Sequence, residues 1–88
     1  MKNRFIQAEA LAGTIARGNN MEEDRILAET LMGSHKEREE HNLVMEQIIR
    51  KLESIIPQIQ YSLSPQILKL KNVQHLQTPI TGKSDKDE

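Results

Sequence analysis

The segment MEQIIRKLESIIPQI, residues 45 to 59, restricts this chain more than any other stretch. Met45, Ile48, Ile49, Leu52, Ile55, Ile56 and Ile59 fall at heptad positions a, d, e, a, d, e and a. Every other position from 46 to 58 is Glu, Gln, Arg, Lys, Ser or Pro. Such a stripe is wider than a two-stranded coiled-coil seam and suits a helix packed in a bundle. The pattern predicts one long amphipathic, coiled-coil-like helix over about residues 35 to 59, roughly 38 Å long at 1.5 Å per residue. Pro57 should kink or restart it near its end.

The flanking sequence supplies start and stop signals for further helices. Residues 3 to 17 are rich in alanine, and Phe5, Ala8, Leu11, Ala12 and Ile15 recur at three- and four-residue spacing, which predicts a first helix. Gly13 weakens that reading by about 1 kcal/mol relative to alanine. Asn20 with Glu23, and Ser34 with Glu37, have the spacing of N-caps with a reciprocal acidic partner. They predict a second helix over about 21 to 32, a stop at Gly33, and a restart at Ser34. Ser64 and Pro65 open a last helix over 65 to 76, although the letters LKLK also alternate as a strand would. Beyond Gln77 the chain is polar and reads as a disordered tail, residues 77 to 88. The expectation is therefore an all-α fold: a single helical domain over 1 to 76, with three or four helices in a small bundle.

Composition then limits the function. Leu, Ile, Val and Phe supply 22 of the 88 residues, but only Phe5 and Tyr61 are aromatic, so the core is aliphatic. A small chain with such a stripe favours burial against a partner. Eight basic and ten acidic groups lie in residues 1 to 60, and four basic and three acidic groups in 61 to 88. There is no basic run to attract nucleic acid. No apolar stretch is long enough to span a bilayer, and the mixed polar face of residues 46 to 58 does not suit a lipid surface. The absence of cysteine excludes disulfides and thiolate metal sites and fits the cytoplasm.

Chemistry-bearing residues are sparse. His35 with Glu39 and Glu37 with His41 are i,i+4 pairs, but the two histidines, six residues apart, point roughly 240° apart at about 100° per residue, so the pairs do not converge on one metal. None of the serines sits in a nucleophile elbow, and no phosphate-binding glycine loop occurs. His35 and His41 then belong to solvated first turns of the long helix.

The reading is a non-enzymatic protein–protein interaction module: a regulator, adaptor, anti-activator or assembly protein with no cofactor, metal or small-molecule substrate. It would form a dimer or tetramer through Met45, Ile48, Ile49, Leu52, Ile55, Ile56 and Ile59. Lys36, Glu37, Arg38, Glu39 and Glu40 would be exposed to another protein. Two alternatives share the same features. A DNA-binding regulator would use the helix pair joined at Gly18 to Asn20, although Glu22, Glu23 and Asp24 would face the phosphates with like charge. A chaperone or scaffold would hold one cognate chain.

Overall fold

In the computed structural model, residues 4 to 84 are described. They form strand β1 (Arg4–Ala16), helix α1 (Met21–Gly33), helix α2 (His35–Glu53), and strands β2 (Gln58–Tyr61), β3 (Gln66–Lys69) and β4 (Val73–Ser84). All strand pairs are antiparallel, and β4 lies at the centre. It pairs with β1 along one edge, and along the other with β3 over Gln74–Gln77 and with β2 over Ile80–Lys83. The fold is a four-stranded sheet covered on one face by two helices, which corrects the expectation of an all-α bundle.

The helix signals of short range are where the spacing predicts them. Asn20 caps α1 by accepting the Glu23 N–H at 2.9 Å, and Ser34 caps α2 by accepting the Glu37 N–H at 3.3 Å. The break falls at Ser34. Helix α2 ends at Glu53, however, well before Ile59. Pro57 follows the end of the helix, and Ile59 belongs to β2.

The Ala-rich segment is a strand and not a helix. Ala8 and Ala10 turn toward the helices, whereas Phe5, Gln7, Glu9 and Leu11 are exposed, a period of two that the small residues obscure. Eleven register pairs with β4 outweigh its local helix preference. Short alanine side chains at the covered face also let α2 lie close to the sheet. Residues 65 to 76 are likewise not a helix: they divide between β3, a turn and the start of β4.

Residues 77 to 84, expected as tail, form most of the central strand; residues 85 to 88 lie outside the described residues. The polarity of this stretch is deceptive because its inward side chains have partners. Gln74 and Thr78 are buried beside Leu76 and Ile80, and the Thr78 hydroxyl lies 2.8 Å from His41 Nε2. Pro79, unusual in a central strand, stands where β3 has ended and β2 has not begun, so only β1 pairs with it.

The aliphatic stripe closes on the chain's own sheet. Ala10, Met45 and Ile80 form the buried cluster, and Ala8, Val44, Ile48, Ile49, Leu52 and Ile59 pack around it. Ile56 is buried just after the helix ends, and of the seven stripe residues only Ile55 is left exposed, at 65%. Most of the stripe thus packs against the chain's own sheet, with Met45 and Ile56 buried and Ile48, Ile49, Leu52 and Ile59 half-buried. Among the described residues no helix is long and apolar enough to cross a membrane. Truncating Ile80, 1% exposed in the core cluster, to alanine should cost about 2–5 kcal/mol. A shift in the urea midpoint measures this, and an unchanged midpoint would contradict the assignment of Ile80 to the core.

Candidate functional site

The site begins with a fault in the β1–β4 ladder. Leu11 pairs with Gln77 and Thr14 with His75, so Ala12 and Gly13 together oppose Leu76 alone. This is a β-bulge, and it reverses which residues of β1 face outward. Gly13 adopts φ 92°, the left-handed region that side chains other than glycine enter at a cost. A Cβ there would also sit 2.9 Å from Leu76 Cδ1 and 3.4 Å from the Glu37 carbonyl oxygen. The bulge is thus wedged between the central strand and the first turn of α2.

Two contacts from other elements reach Thr14 at this point. The extra residue turns Thr14 to the uncovered face, where its Oγ1 lies 2.9 Å from His75 Nδ1. The Thr14 N–H donates to Glu37 Oε1 at 3.3 Å. Glu37 occupies the first turn of α2, where the helix dipole favours a negative charge. A hydroxyl and an imidazole from two strands therefore pair on the sheet, while a carboxylate from α2 holds the backbone beside them. A hydroxyl bonded to a half-buried imidazole can relay a proton to or from a bound molecule.

His41, one turn further along α2, has a different role. It is 1% exposed, with Nδ1 2.9 Å from the Ala12 carbonyl oxygen and Nε2 2.8 Å from Thr78 Oγ1. A carbonyl only accepts, so Nδ1 donates to Ala12, and Nε2 shares a hydrogen bond with the Thr78 hydroxyl. This ring braces the bulge from inside, which corrects its reading as a solvated side chain.

Behind the bulge, the end of β1 is held by a buried carboxylate. Asp24 receives Arg17 Nε at 2.8 Å, Arg17 Nη2 at 2.7 Å and the Gly18 N–H at 2.7 Å. Hydrogen bonds from the Arg17 guanidinium, and then from Gly18, hold the Asp24 carboxyl well below the usual carboxylate range, against the opposing effect of burial. Arg17 is raised in turn by its bond to Asp24.

Of the five residues expected to meet a partner, Glu37 alone bonds to the bulge. Lys36, Glu39 and Glu40 are exposed, Glu39 pairs with His35 at 3.1 Å, and Arg38 is half-buried. Thr14 and His75 were not anticipated from sequence. The one local signal was glycine within the alternating run of β1, since an isolated glycine in a strand often marks a bulge.

On the outer face beyond this site, Gln77 donates to Glu9 at 2.6 Å and Gln66 donates to Gln77 at 2.9 Å. The sheet is thus polar, ordered and uncovered around the Thr14–His75 pair.

Comparison with known proteins adds to this geometry. The model of the family described as chorismate binding enzyme matches residues 1–88. The salicylate biosynthesis isochorismate synthase of Pseudomonas aeruginosa is 45% identical over 74 residues, 84% of this chain and 16% of that protein. Anthranilate synthase component 1 of Saccharomyces cerevisiae is 36% identical over 83 residues, 92% of this chain and 16% of that protein. Among solved structures, MenF, the menaquinone-specific isochorismate synthase from Escherichia coli, superposes with a TM-score of 0.87 at 33% identity, over 99% of this chain and 21% of that one. The chain spans about a sixth of these curated relatives and about a fifth of the solved structure. These matches are to enzymes, and they overturn the expectation of a non-enzymatic regulator without a small-molecule substrate.

Two outcomes follow from the geometry. Gly13→Ala should destabilise the fold by at least about 1–2 kcal/mol from its backbone conformation alone, measurable by denaturation. For Asp24 the folded pKa lies below the unfolded one. Its contribution is then complete above about pH 4 and is lost as pH falls from there toward the folded value. The stability difference between wild type and Asp24→Asn should be constant from pH 7 to 5 and shrink below about pH 4. A difference that grows in acid would contradict the pairing.

Proposed function

This chain belongs to the chorismate binding enzyme family, and we propose that it provides part of the chorismate site of an isochorismate-forming enzyme. The observation that carries the proposal is the Thr14–His75 hydrogen bond at the bulge, beside Glu37. Isochorismate formation is favoured over anthranilate formation by the 45% identity to an isochorismate synthase against 36% to an anthranilate synthase component. The cytoplasmic setting suggested by the cysteine-free composition is part of the same reading.

Chorismate and isochorismate are isomers that differ in the position of a ring hydroxyl. Their interconversion needs a base for the entering oxygen and an acid for the leaving one. Hydroxyl and imidazole groups at hydrogen-bond distance are suited to moving such protons. In this reading Thr14 and His75 face the substrate on the uncovered side of the sheet. Glu37 fixes the backbone of Thr14 through its N–H. Because the chain spans a sixth of its relatives, the remaining walls of the site belong to polypeptide outside this segment.

The test is chorismate conversion by the complete protein, with products separated by chromatography. Wild type should form isochorismate. His75→Asn and Thr14→Val should each lower kcat, on the order of 10²–10⁴-fold for loss of an acid–base group, with the circular dichroism spectrum unchanged. Folded variants with wild-type turnover would remove the Thr14–His75 pair from the reaction, and anthranilate as the product would redirect the assignment within the family.

A further inference from the structure

Glu37 and His41 are an i,i+4 pair in the first two turns of α2, so their side chains leave the same side of the helix. They meet the two backbone groups on either side of Gly13. His41 Nδ1 donates to the Ala12 carbonyl at 2.9 Å, and Glu37 Oε1 accepts the Thr14 N–H at 3.3 Å. A donor and an acceptor one helical turn apart thus match an acceptor and a donor two strand residues apart. The pair is itself held in place, because the Ser34 hydroxyl accepts the Glu37 N–H and anchors the first turn of α2.

The same contacts count residues along the strands. His41 Nε2 lies 2.8 Å from Thr78 Oγ1, and Thr78 stands opposite Ala10. One ring therefore holds a residue of β4 and, on β1, the carbonyl two residues beyond its partner. This fixes the register on the near side of the bulge. Glu37 holds Thr14, which stands opposite His75, and fixes the register on the far side. Between them lies Gly13 at φ 92°, with no Cβ to meet Leu76.

The register of β1 needs such a device. Alanine recurs at positions 8, 10, 12 and 16, and side chains of one small size distinguish one register poorly from the next. A slip of one residue would send every side chain to the other face of the sheet. His41 is also a poor choice for stability alone. It is 1% exposed, and an apolar side chain there would have no ring nitrogens to satisfy. Specifying register is the best-attested use of a buried polar group.

We propose that Glu37 and His41 are positioning residues, a template on α2 that sets the place of the bulge in β1 and thereby which side chains β1 presents on the uncovered face. This rests on the proposed function only in placing chorismate against that face, and it assigns no acid or base. Without the template the fault is free to move along the alanine run, and the residues that reach the substrate change with it.

The experiment is a crystal structure and chorismate kinetics for each variant of the complete protein that folds by circular dichroism. In His41→Leu and in Glu37→Ala the fault should move or vanish, so that Thr14 no longer stands opposite His75 and Gly13 leaves the left-handed region. Each should lower kcat/KM on the order of tenfold to a hundredfold. His41→Asn keeps an amide N–H for the Ala12 carbonyl, and Glu37→Gln keeps an oxygen for the Thr14 N–H. Both should retain the bulge and most of the wild-type kcat/KM. Glu39→Ala, in the same turn of α2 but paired with His35, should leave register and kinetics at wild-type values. A folded His41→Leu or Glu37→Ala with Thr14 still opposite His75 and Gly13 still left-handed would overturn the proposal, as would a displaced bulge in Glu39→Ala. If His41→Leu does not fold, Glu37→Ala decides the matter, since its side chain is only half-buried. A displaced bulge with unchanged kcat/KM would establish the template and refute the placement of chorismate at the bulge instead.

Discussion

The antiparallel ladder between β1 and β4 carries the rest of this structure. β4 is the strand to which β1, β2 and β3 all attach, and β1 is the strand that α2 packs against most extensively. Closing the ladder brings the two ends of the described chain together, because Phe5 lies opposite Lys83. Such long-range pairing must overcome a large loop-closure entropy before it is rewarded. The reward is the aliphatic layer that α2 lays over Ala10 and Ile80. The single fault in the ladder, at Ala12 and Gly13, is also where the chemistry-bearing side chains gather. A bulge re-aims one side chain without breaking the sheet, and here the re-aimed side chain is Thr14.

What could be read from sequence was local. The caps at Asn20 and Ser34 involve partners three residues away, and the helix break at Ser34 follows from the same signals. The face of α2 was legible too, since Met45, Ile48, Ile49 and Leu52 do turn inward. What covers that face was not, because a helical stripe packs equally well on a partner helix or on a sheet. β1 was misread because alanine satisfies both periods: Ala8 and Ala12 fit a helical stripe, while Ala8 and Ala10 fit a strand. Only the distant partner decides between them. β4 was misread because polar residues are buried in it, and their partners, such as His41 for Thr78, lie 37 residues away. The candidate site was invisible for the same reason, since Thr14 and His75 meet only once the ladder has formed.

The polar interior links fold to function. His41 braces the inner side of the bulge through Ala12 and Thr78, Asp24 and Gln74 fix the strand ends, and Glu37 holds the Thr14 amide from α2. A small chain with an aliphatic core gains little further stability from so many buried polar groups. It gains a defined geometry at one corner of an otherwise uncovered sheet face. In the proposed reading such a corner serves the reaction, since proton transfer depends on groups held at hydrogen-bond distance.

The most direct test of this account is a chorismate titration followed by ¹H–¹⁵N correlation spectra of the complete protein, with the Thr14 amide and the His75 ring resonances assigned. The account predicts saturable shifts that are largest at Gly13, Thr14 and His75, with Glu37 next. Saturable shifts centred elsewhere, with the Thr14 and His75 signals unmoved, would contradict it.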